Sequence, residues 1–437
     1  MKSAFKLNQI IRKMWFLPTM FAAGAIATVA TAHYSAALLP QELPIDISES
    51  AIEDILTIIG SSMLAVATFA LATMVNALSG ASQGTSPRAV RLIAEDRTAQ
   101  ASISAFVGAF LFSVVGIIAL SGGFFTASGR LILFAATIVV VALVVGALIR
   151  WINKISSIGQ VGETIERVEA ATTAAFCEIA RTPLFGCCER EAAQHGAVAV
   201  HADRVGFVQH LEPAELQKIA EEDDLWIHVV ARPGIYATRA QPLAMVAGPV
   251  TEGARRRIRD AFVVGRNRTF DHDPLYGLVV LNEIASRALS PGVNDPGTAI
   301  GVIHAQIRIL DTWMTEKPGQ RPAAAFSRVS MRRITPQDVM TVAFRPIVRD
   351  GAGNVEVCLE VCEALQAIRA AAPHVFGRAV AETAVDLLAR ARSDMSHPPD
   401  LRAVEQAAAA LVHADGTAGH APARHPALDF EDRRGAE

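Results

Sequence analysis

The first third of the chain contains four long apolar runs, and these runs constrain its fold more than any other feature. They are Trp15–Leu39, Ile55–Ser79, Ala101–Ser121 and Leu131–Trp151. A helix that rises about 1.5 Å per residue needs about 20 apolar residues to cross the ~30 Å hydrocarbon layer of a bilayer. Each run reaches that length, and none has a charged residue in its apolar core. The sequence therefore predicts four transmembrane helices.

Basic residues lie at one end of these runs. They precede the first run, separate the second from the third, and follow the fourth: Lys2, Lys6, Arg12, Lys13, Arg88, Arg91, Arg97, Arg150 and Lys154. Of the opposite loops, Pro40–Asp54 has acidic residues but no Lys or Arg, and Ser121–Arg130 has only Arg130. Because Lys and Arg in short loops stay on the cytoplasmic side during insertion, both termini are predicted to be cytoplasmic.

The pattern of predicted secondary structure changes several times along the remainder of the chain. Short β-rich runs with an Arg232-Pro233-Gly234 turn give way to helical periodicity from Glu252. The predicted fold class is mixed, a membrane α-helical part plus an α+β part. The predicted divisions are a cytoplasmic basic N-terminus (1–14), a four-helix transmembrane domain (15–151), a juxtamembrane helical stem (152–195), a small β-rich cytoplasmic subdomain (196–250), a helical cytoplasmic domain (251–413) and a disordered tail (414–437).

The stem carries an apolar stripe from Ile152 to Val168 with apolar residues every three or four positions. Two interpretations stay open: the stem packs against its own domain, or it assembles subunits. The stripe is too short to demonstrate a sustained heptad repeat.

Composition excludes several classes of protein. The formal net charge of -3 gives no strongly basic face, so nucleic acid is not an expected partner. The five cysteines all follow the fourth run, and we expect buried structural thiols in a reducing compartment rather than disulfides or a metal site. Nucleotide-loop, dinucleotide and zinc-protease motifs do not occur in the sequence. We therefore expect no enzyme, no catalytic residues, no cofactor and no metal.

The second apolar run has one face made of small and polar side chains. Its members follow steps of three or four: Thr57, Ser61, Ala65, Thr68, Ala72 and Asn76. Such a face either lines water or packs closely in a bundle, because small residues let membrane helices approach. Packing is the favoured interpretation, since no charge marks an ion path. Glu53 and Asp54, at the outer end, form either a cation-attracting mouth in an oligomer or an exposed acidic loop.

Arg88 and Arg91 lie in the short segment between the second and third runs. The favoured role for both is contact with anionic lipid headgroups at the membrane interface. Gating of a pathway is the alternative.

The main constellation of candidate site residues in the second part of the chain lies between Gly265 and Thr298. The candidates for an anionic-ligand site or a structural ion network are Arg266, Arg268, Asp273, Arg287, Asn294 and Asp295. Arginine favours bidentate contacts with carboxylate or phosphate. In the structural alternative, Asp295 caps a helix whose first residue is Pro296.

This region resembles a known family, the bacterial predicted membrane proteins of domain-of-unknown-function family 2254. Residues that carry the resemblance include the run Arg287–Gly292, Asn294-Asp295-Pro296, Trp15-Phe16-Leu17-Pro18, Ser86-Pro87-Arg88 and Arg232-Pro233-Gly234. The resemblance covers most of the chain from Met14 to about Leu411. It implies an architecture in the bacterial cytoplasmic membrane and no established activity.

Two functions from different classes fit these features. The leading hypothesis is a multi-pass inner-membrane protein that forms a homo-oligomeric channel or transport pathway with a regulatory cytoplasmic domain. The alternative is a membrane-anchored scaffold or ligand sensor without a pathway. The expected partners are the lipid bilayer, further copies of the chain and an anionic small ligand.

Overall fold

A computed structural model describes residues 15–35, 48–94, 96–155, 160–316 and 325–412. The predicted basic N-terminus, most of the acidic loop and the predicted tail lie outside the described residues. Contacts divide the chain into two compact units. The described residues up to Thr164 form the amino-terminal unit, and those from Ile165 onward form the carboxyl-terminal unit.

The amino-terminal unit is helical throughout its described residues. Its helices are α1 (Phe16–Ser35), α2 (Glu49–Gly84), the short α3 (Val90–Ala94), α4 (Arg97–Ser121) and α5 (Ala127–Ile155). Three stretches are long and apolar enough to cross a membrane, namely Glu49–Ser82, Val90–Ser121 and Ser128–Ile155, whereas the apolar part of α1 is the shorter Phe16–Thr31. Four spans therefore remain a prediction.

Helix α4 is the centre of this unit, because α1, α2 and α5 all pack against it. Its glycines allow the close approach: a Cβ on Gly108 would lie 3.1 Å from Phe21 of α1, and one on Gly116 would lie 3.1 Å from Leu56 of α2. Small residues serve this purpose in membrane helices because dispersion and packing replace the hydrophobic effect there.

Helix α6 (Val161–Arg181) crosses the division between the units at Ile165. Within the amino-terminal unit, Lys154 of α5 contacts two carboxylates at helix starts, Asp96 at 3.3 Å and Glu163 at 2.6 Å. The predicted stem thus includes α6 and also reaches the strand that follows it, β1 (Cys187–Glu189).

The carboxyl-terminal unit begins with two small sheets. Their strands are β1 (Cys187–Glu189), β2 (Val198–His201), β3 (Gly206–Leu211), β4 (Trp226–Val229), β5 (Tyr236–Ala237), β6 (Pro242–Ala247), β7 (Phe262–Gly265) and β8 (Phe326–Met331). One sheet has the order β1-β8-β4-β6-β2, and the other has the order β5-β3-β7. Within the larger sheet β1, β8 and β4 run parallel, while β6 is antiparallel to its neighbours. Strands β1, β7 and β8 thus lie outside the predicted β-rich subdomain (196–250). Strand β1 falls in the predicted stem, and β7 and β8 fall in the predicted helical domain.

Helices surround and follow these sheets. They are α7 (Pro213–Glu222), α8 (Glu252–Asp260), α9 (Pro274–Ala288), α10 (Pro296–Thr315), α11 (Pro336–Gly351), α12 (Val355–Ala371), α13 (Pro373–Asp394) and α14 (Pro398–Val412). Their starts follow local chemistry. Thr335 and Asn354 cap α11 and α12, and each accepts a hydrogen bond from the backbone N–H three residues later.

Candidate functional site

The small and polar stripe of α2 lies on the outside of its own unit. All six predicted residues are exposed: Thr57, Ser61, Ala65, Thr68, Ala72 and Asn76. The opposite face of α2 is the one that packs inward, through fully buried Leu56, Ala70 and Met74. Within one chain the stripe therefore does not serve as the packing face that the sequence favours. Small residues that do pack closely include Ala70 on the inward face of α2 and Gly108 and Gly116 of α4.

Large apolar side chains border the stripe on both sides. Ile58 and Phe69 are each 66% exposed, and Leu64, Leu71 and Val75 are also exposed. Two of the stripe hydroxyls donate hydrogen bonds within the helix, Ser61 to the Thr57 carbonyl and Thr68 to the Leu64 carbonyl. The exposed side of α2 therefore has two kinds of surface, a small and polar stripe and a large apolar border on each side of it. This arrangement indicates that the stripe and its border have different surroundings.

Arg88 and Arg91 are exposed, Arg88 just before the short helix α3 and Arg91 within it. The Ser86 hydroxyl accepts a hydrogen bond from the Arg88 backbone N–H at 3.1 Å, which fixes the local turn. Contact of both arginines with lipid headgroups stays a prediction.

A bidentate ion pair in the carboxyl-terminal unit joins Arg268 to Asp273. The guanidinium donates through Nε to Oδ2 at 2.6 Å and through Nη2 to Oδ1 at 2.9 Å. The two side chains are 20% and 5% exposed. Burial raises the pKa of the Asp273 carboxyl, and the bonds from Arg268 oppose that rise. Arg268 also lies 4.9 Å from the ring centroid of Tyr276, a cation–π contact.

The turn at Arg232-Pro233-Gly234 packs against this pair. Gly234 has φ +93°, and a Cβ there would lie 2.3 Å from Asp273 Oδ2. Glycine is required both by the backbone angle and by the approach of the carboxylate. The turn is closed by the Ile235 N–H, which donates to the Arg232 carbonyl at 3.1 Å. Two motifs that are distant in sequence thus form one site.

Arg232 itself is a half-buried cation in this site. Burial lowers the pKa of its guanidinium, Asp338 and Asp273 raise it, and Arg332 and Arg268 lower it. We define the arginine site as Arg232, Arg268, Asp273, Arg332 and Asp338. Sequence reasoning singled out Arg268 and Asp273 but treated Arg232 only as a turn residue.

The other predicted members of the constellation have separate surroundings. Arg266 and Arg287 are exposed. Asp295 caps α10, accepting from the Thr298 backbone N–H at 3.1 Å and from the Thr298 hydroxyl at 2.6 Å. These bonds hold the pKa of Asp295 below its usual range. Asn294 precedes it with φ +50°, a conformation that asparagine tolerates. The predicted cap is confirmed.

A cluster of titratable groups that the sequence did not reveal adjoins the Arg268 pair. The rings of His210 and His272 are 4.8 Å apart, and His210 Nε2 lies 3.0 Å from Glu212 Oε1. Burial first, and His210 second, lower the pKa of His272. Glu178 of α6 lies 3.7 Å from His272 Nδ1, and burial raises its pKa. Isolated histidines on a strand and in a loop carry no sequence signal for such a pairing.

The cysteines are mostly inaccessible. Cys177, Cys187, Cys358 and Cys362 are buried, and Cys188 is partly exposed. Burial raises the pKa of Cys187 and of Cys358 to about 12. Thiols that stay protonated are poor nucleophiles and poor metal ligands, which agrees with a packing role.

Comparisons with known proteins place the chain among membrane proteins. A family model described as "Predicted membrane protein (DUF2254)" matches residues 11–367. Uncharacterized proteins of Mycobacterium bovis and Mycobacterium tuberculosis are each 23% identical to it over 317 residues, which cover 68% of this chain and 60% of the relative. The chain thus spans less than two thirds of the length of these relatives. No solved structure matches it.

Proposed function

The chain belongs to the DUF2254 family of predicted membrane proteins, and from this premise we propose that it forms a homo-oligomeric channel or transport pathway in the bacterial cytoplasmic membrane. In this proposal the stripe of α2 lines the pathway, and the carboxyl-terminal unit regulates it from the cytoplasm. The proposal assigns the chain no catalytic activity.

The exposure of the α2 stripe is the observation that carries this proposal. In a membrane helix, an exposed face meets lipid, water or another chain. Lipid favours large apolar side chains, such as exposed Ile58 and Phe69. Thr57, Thr68 and Asn76 offer lipid less apolar surface, whereas they suit either a wet axis or a neighbouring helix. A ring of copies with the stripes toward the axis provides both surroundings.

The charge at the Glu49 end of α2 supports a pathway for cations. Glu53 and Asp54 are exposed one turn before the stripe begins. Several copies around an axis place several carboxylates at its mouth, and such a concentration of negative charge raises the local concentration of cations. Glu49 is partly neutralised by Arg130 at 3.5 Å, so the two later carboxylates carry the effect.

Flux measurements on purified full-length protein in liposomes test this function. We expect wild-type protein to pass K⁺, because the mouth is acidic, and Thr68→Leu and Ala72→Leu to reduce the flux at least tenfold by filling the axis. Phe69→Leu is the matched control, since Phe69 is exposed on the border. Its flux should stay within twofold of wild type.

The alternative function predicts a different result. If neither cations nor other small solutes cross the liposome membrane at any voltage or pH, the proposal of a transport pathway is wrong. A scaffold or ligand sensor then takes its place, a role that the arginine site of the carboxyl-terminal unit favours. If all three variants pass K⁺ equally, a pathway exists but α2 does not line it.

We further propose four spans with both termini cytoplasmic. Helix α1 has 20 residues, a length of about 30 Å at 1.5 Å per residue, which suffices for a bilayer. Ser50 and Ser396, both exposed, then lie on opposite sides. In a Cys188→Ser background, an impermeant thiol reagent applied to intact cells should label Ser50→Cys and spare Ser396→Cys. Labelling of Ser396→Cys before permeabilisation would reverse the topology.

A further inference from the structure

Three parallel strands of the larger sheet end together, and arginines follow them. In the register of the sheet, Met331 of β8 lies beside both Glu189 of β1 and Val229 of β4. The chain continues from these ends to Arg190, Arg332 and Arg232. The carboxyl ends of adjacent parallel strands are where open sheets bind ligands, because the chain leaves the sheet there and opens a crevice.

Two of these guanidinium groups have donors that the described protein does not satisfy. The side chain of Arg232 is half-buried, and its guanidinium makes no hydrogen bond or ion pair within the described residues. Arg332 reaches Glu191 at 3.7 Å and Asp338 at 3.8 Å, distances too long for hydrogen bonds. A guanidinium carries five N–H donors and stays charged, so partial burial without an acceptor is unfavourable.

The nearby carboxylates are occupied elsewhere. Both oxygens of Asp273 accept from Arg268. Asp338 accepts from the Thr335 backbone N–H at 2.9 Å as part of the cap of α11. The arginine site therefore has three cations and two anions, with the anions committed to Arg268 and to the helix start. Glu191 adds a third carboxylate, but its side chain is 78% exposed and reaches Arg332 alone, so the Arg232 guanidinium keeps its positive charge without a carboxylate of its own.

We propose that the carboxyl edge of β4 and β8 binds a small oxoanion, of the phosphate or carboxylate class, between Arg232 and Arg332. The planar fork of arginine matches two oxygens of such a group, and Arg332 is half-exposed at the entrance. Arg268 does not contact the anion. It holds Asp273 against Gly234 and so keeps the Arg232 turn in place. This site does not depend on the membrane pathway.

Calorimetry on the purified full-length protein tests the site, with inorganic phosphate and acetate as probes in separate titrations at constant ionic strength. We expect saturable binding of at least one probe. Arg232→Gln should weaken it at least tenfold, and Arg332→Gln at least threefold. The matched control is Arg204→Gln, an exposed arginine of the same unit outside the site, which should leave the affinity within twofold of wild type.

Folding and charge effects are separated by two further measurements. Thermal unfolding reports whether Arg232→Gln is folded, and Arg332→Gln, at an exposed position, decides the proposal if it is not. Arg232→Lys keeps the charge but loses the fork, so it should bind more weakly than wild type. Binding of acetate alone assigns the carboxylate class, and binding of phosphate alone assigns the phosphate class. Absence of saturable binding by either probe, or equal weakening by Arg204→Gln, would overturn the site.

Discussion

Asp273→Ala is expected to destabilise the carboxyl-terminal unit by about 3–5 kcal/mol, the usual effect of removing one partner of a buried ion pair. The substitution leaves Arg268, only 20% exposed, without the carboxylate that accepts two of its hydrogen bonds. It also removes the group on which the Gly234 turn rests. Thermal unfolding and limited proteolysis of the full-length protein measure the effect.

Asp203→Ala is the control for this prediction, because Asp203 is an exposed carboxylate in the same unit. We expect it to change stability by at most about 0.5 kcal/mol. The double variant Arg268→Met with Asp273→Ala should recover part of the loss, since it no longer buries an unpaired charge. If Asp273→Ala unfolds at the same temperature as Asp203→Ala, the ion pair between Arg268 and Asp273 is not required for stability.

Gly277→Leu should push α9 away from α6 and destabilise the carboxyl-terminal unit by about 1–3 kcal/mol, the usual cost of overpacking a core. A Cβ at Gly277 would lie 1.7 Å from Thr172 Oγ1 and 2.7 Å from Thr172 Cβ, so rotation of the hydroxyl alone does not make room. Thr172 is itself buried, and the surrounding helices restrict its movement.

Two comparisons sharpen the Gly277 prediction. Gly292→Ala is the neutral control, because no atom lies within 4 Å of the Cβ it would add. The double variant Gly277→Ala with Thr172→Ala should be more stable than Gly277→Ala alone, because it lacks the Thr172 hydroxyl, the group nearest to the added Cβ. Both are measured by thermal unfolding of the full-length protein. If Gly277→Leu unfolds at the wild-type temperature, the close approach of α9 and α6 is not required.

Local chemistry was legible in the sequence. The cap at Asp295, the caps at Thr335 and Asn354 and the turn at Arg232-Pro233-Gly234 all form, because each depends on residues within a few positions. The short strands β1, β7 and β8 were not predicted from the sequence. Each has three to six residues, and β1 and β8 are paired with strands that are distant in sequence.

The sequence by itself determined that this is a membrane protein with a large second unit, because hydropathy over about 20 residues is a local property. It also found the small and polar stripe of α2, since periodicity shows that two faces of a helix differ. Only the tertiary structure decided that Leu56 and Met74, and not the stripe, pack inward. It alone brought Arg232 beside Arg268 and Asp273. Periodicity does not specify what covers a face, and the meeting of distant charged groups depends on how the whole chain folds.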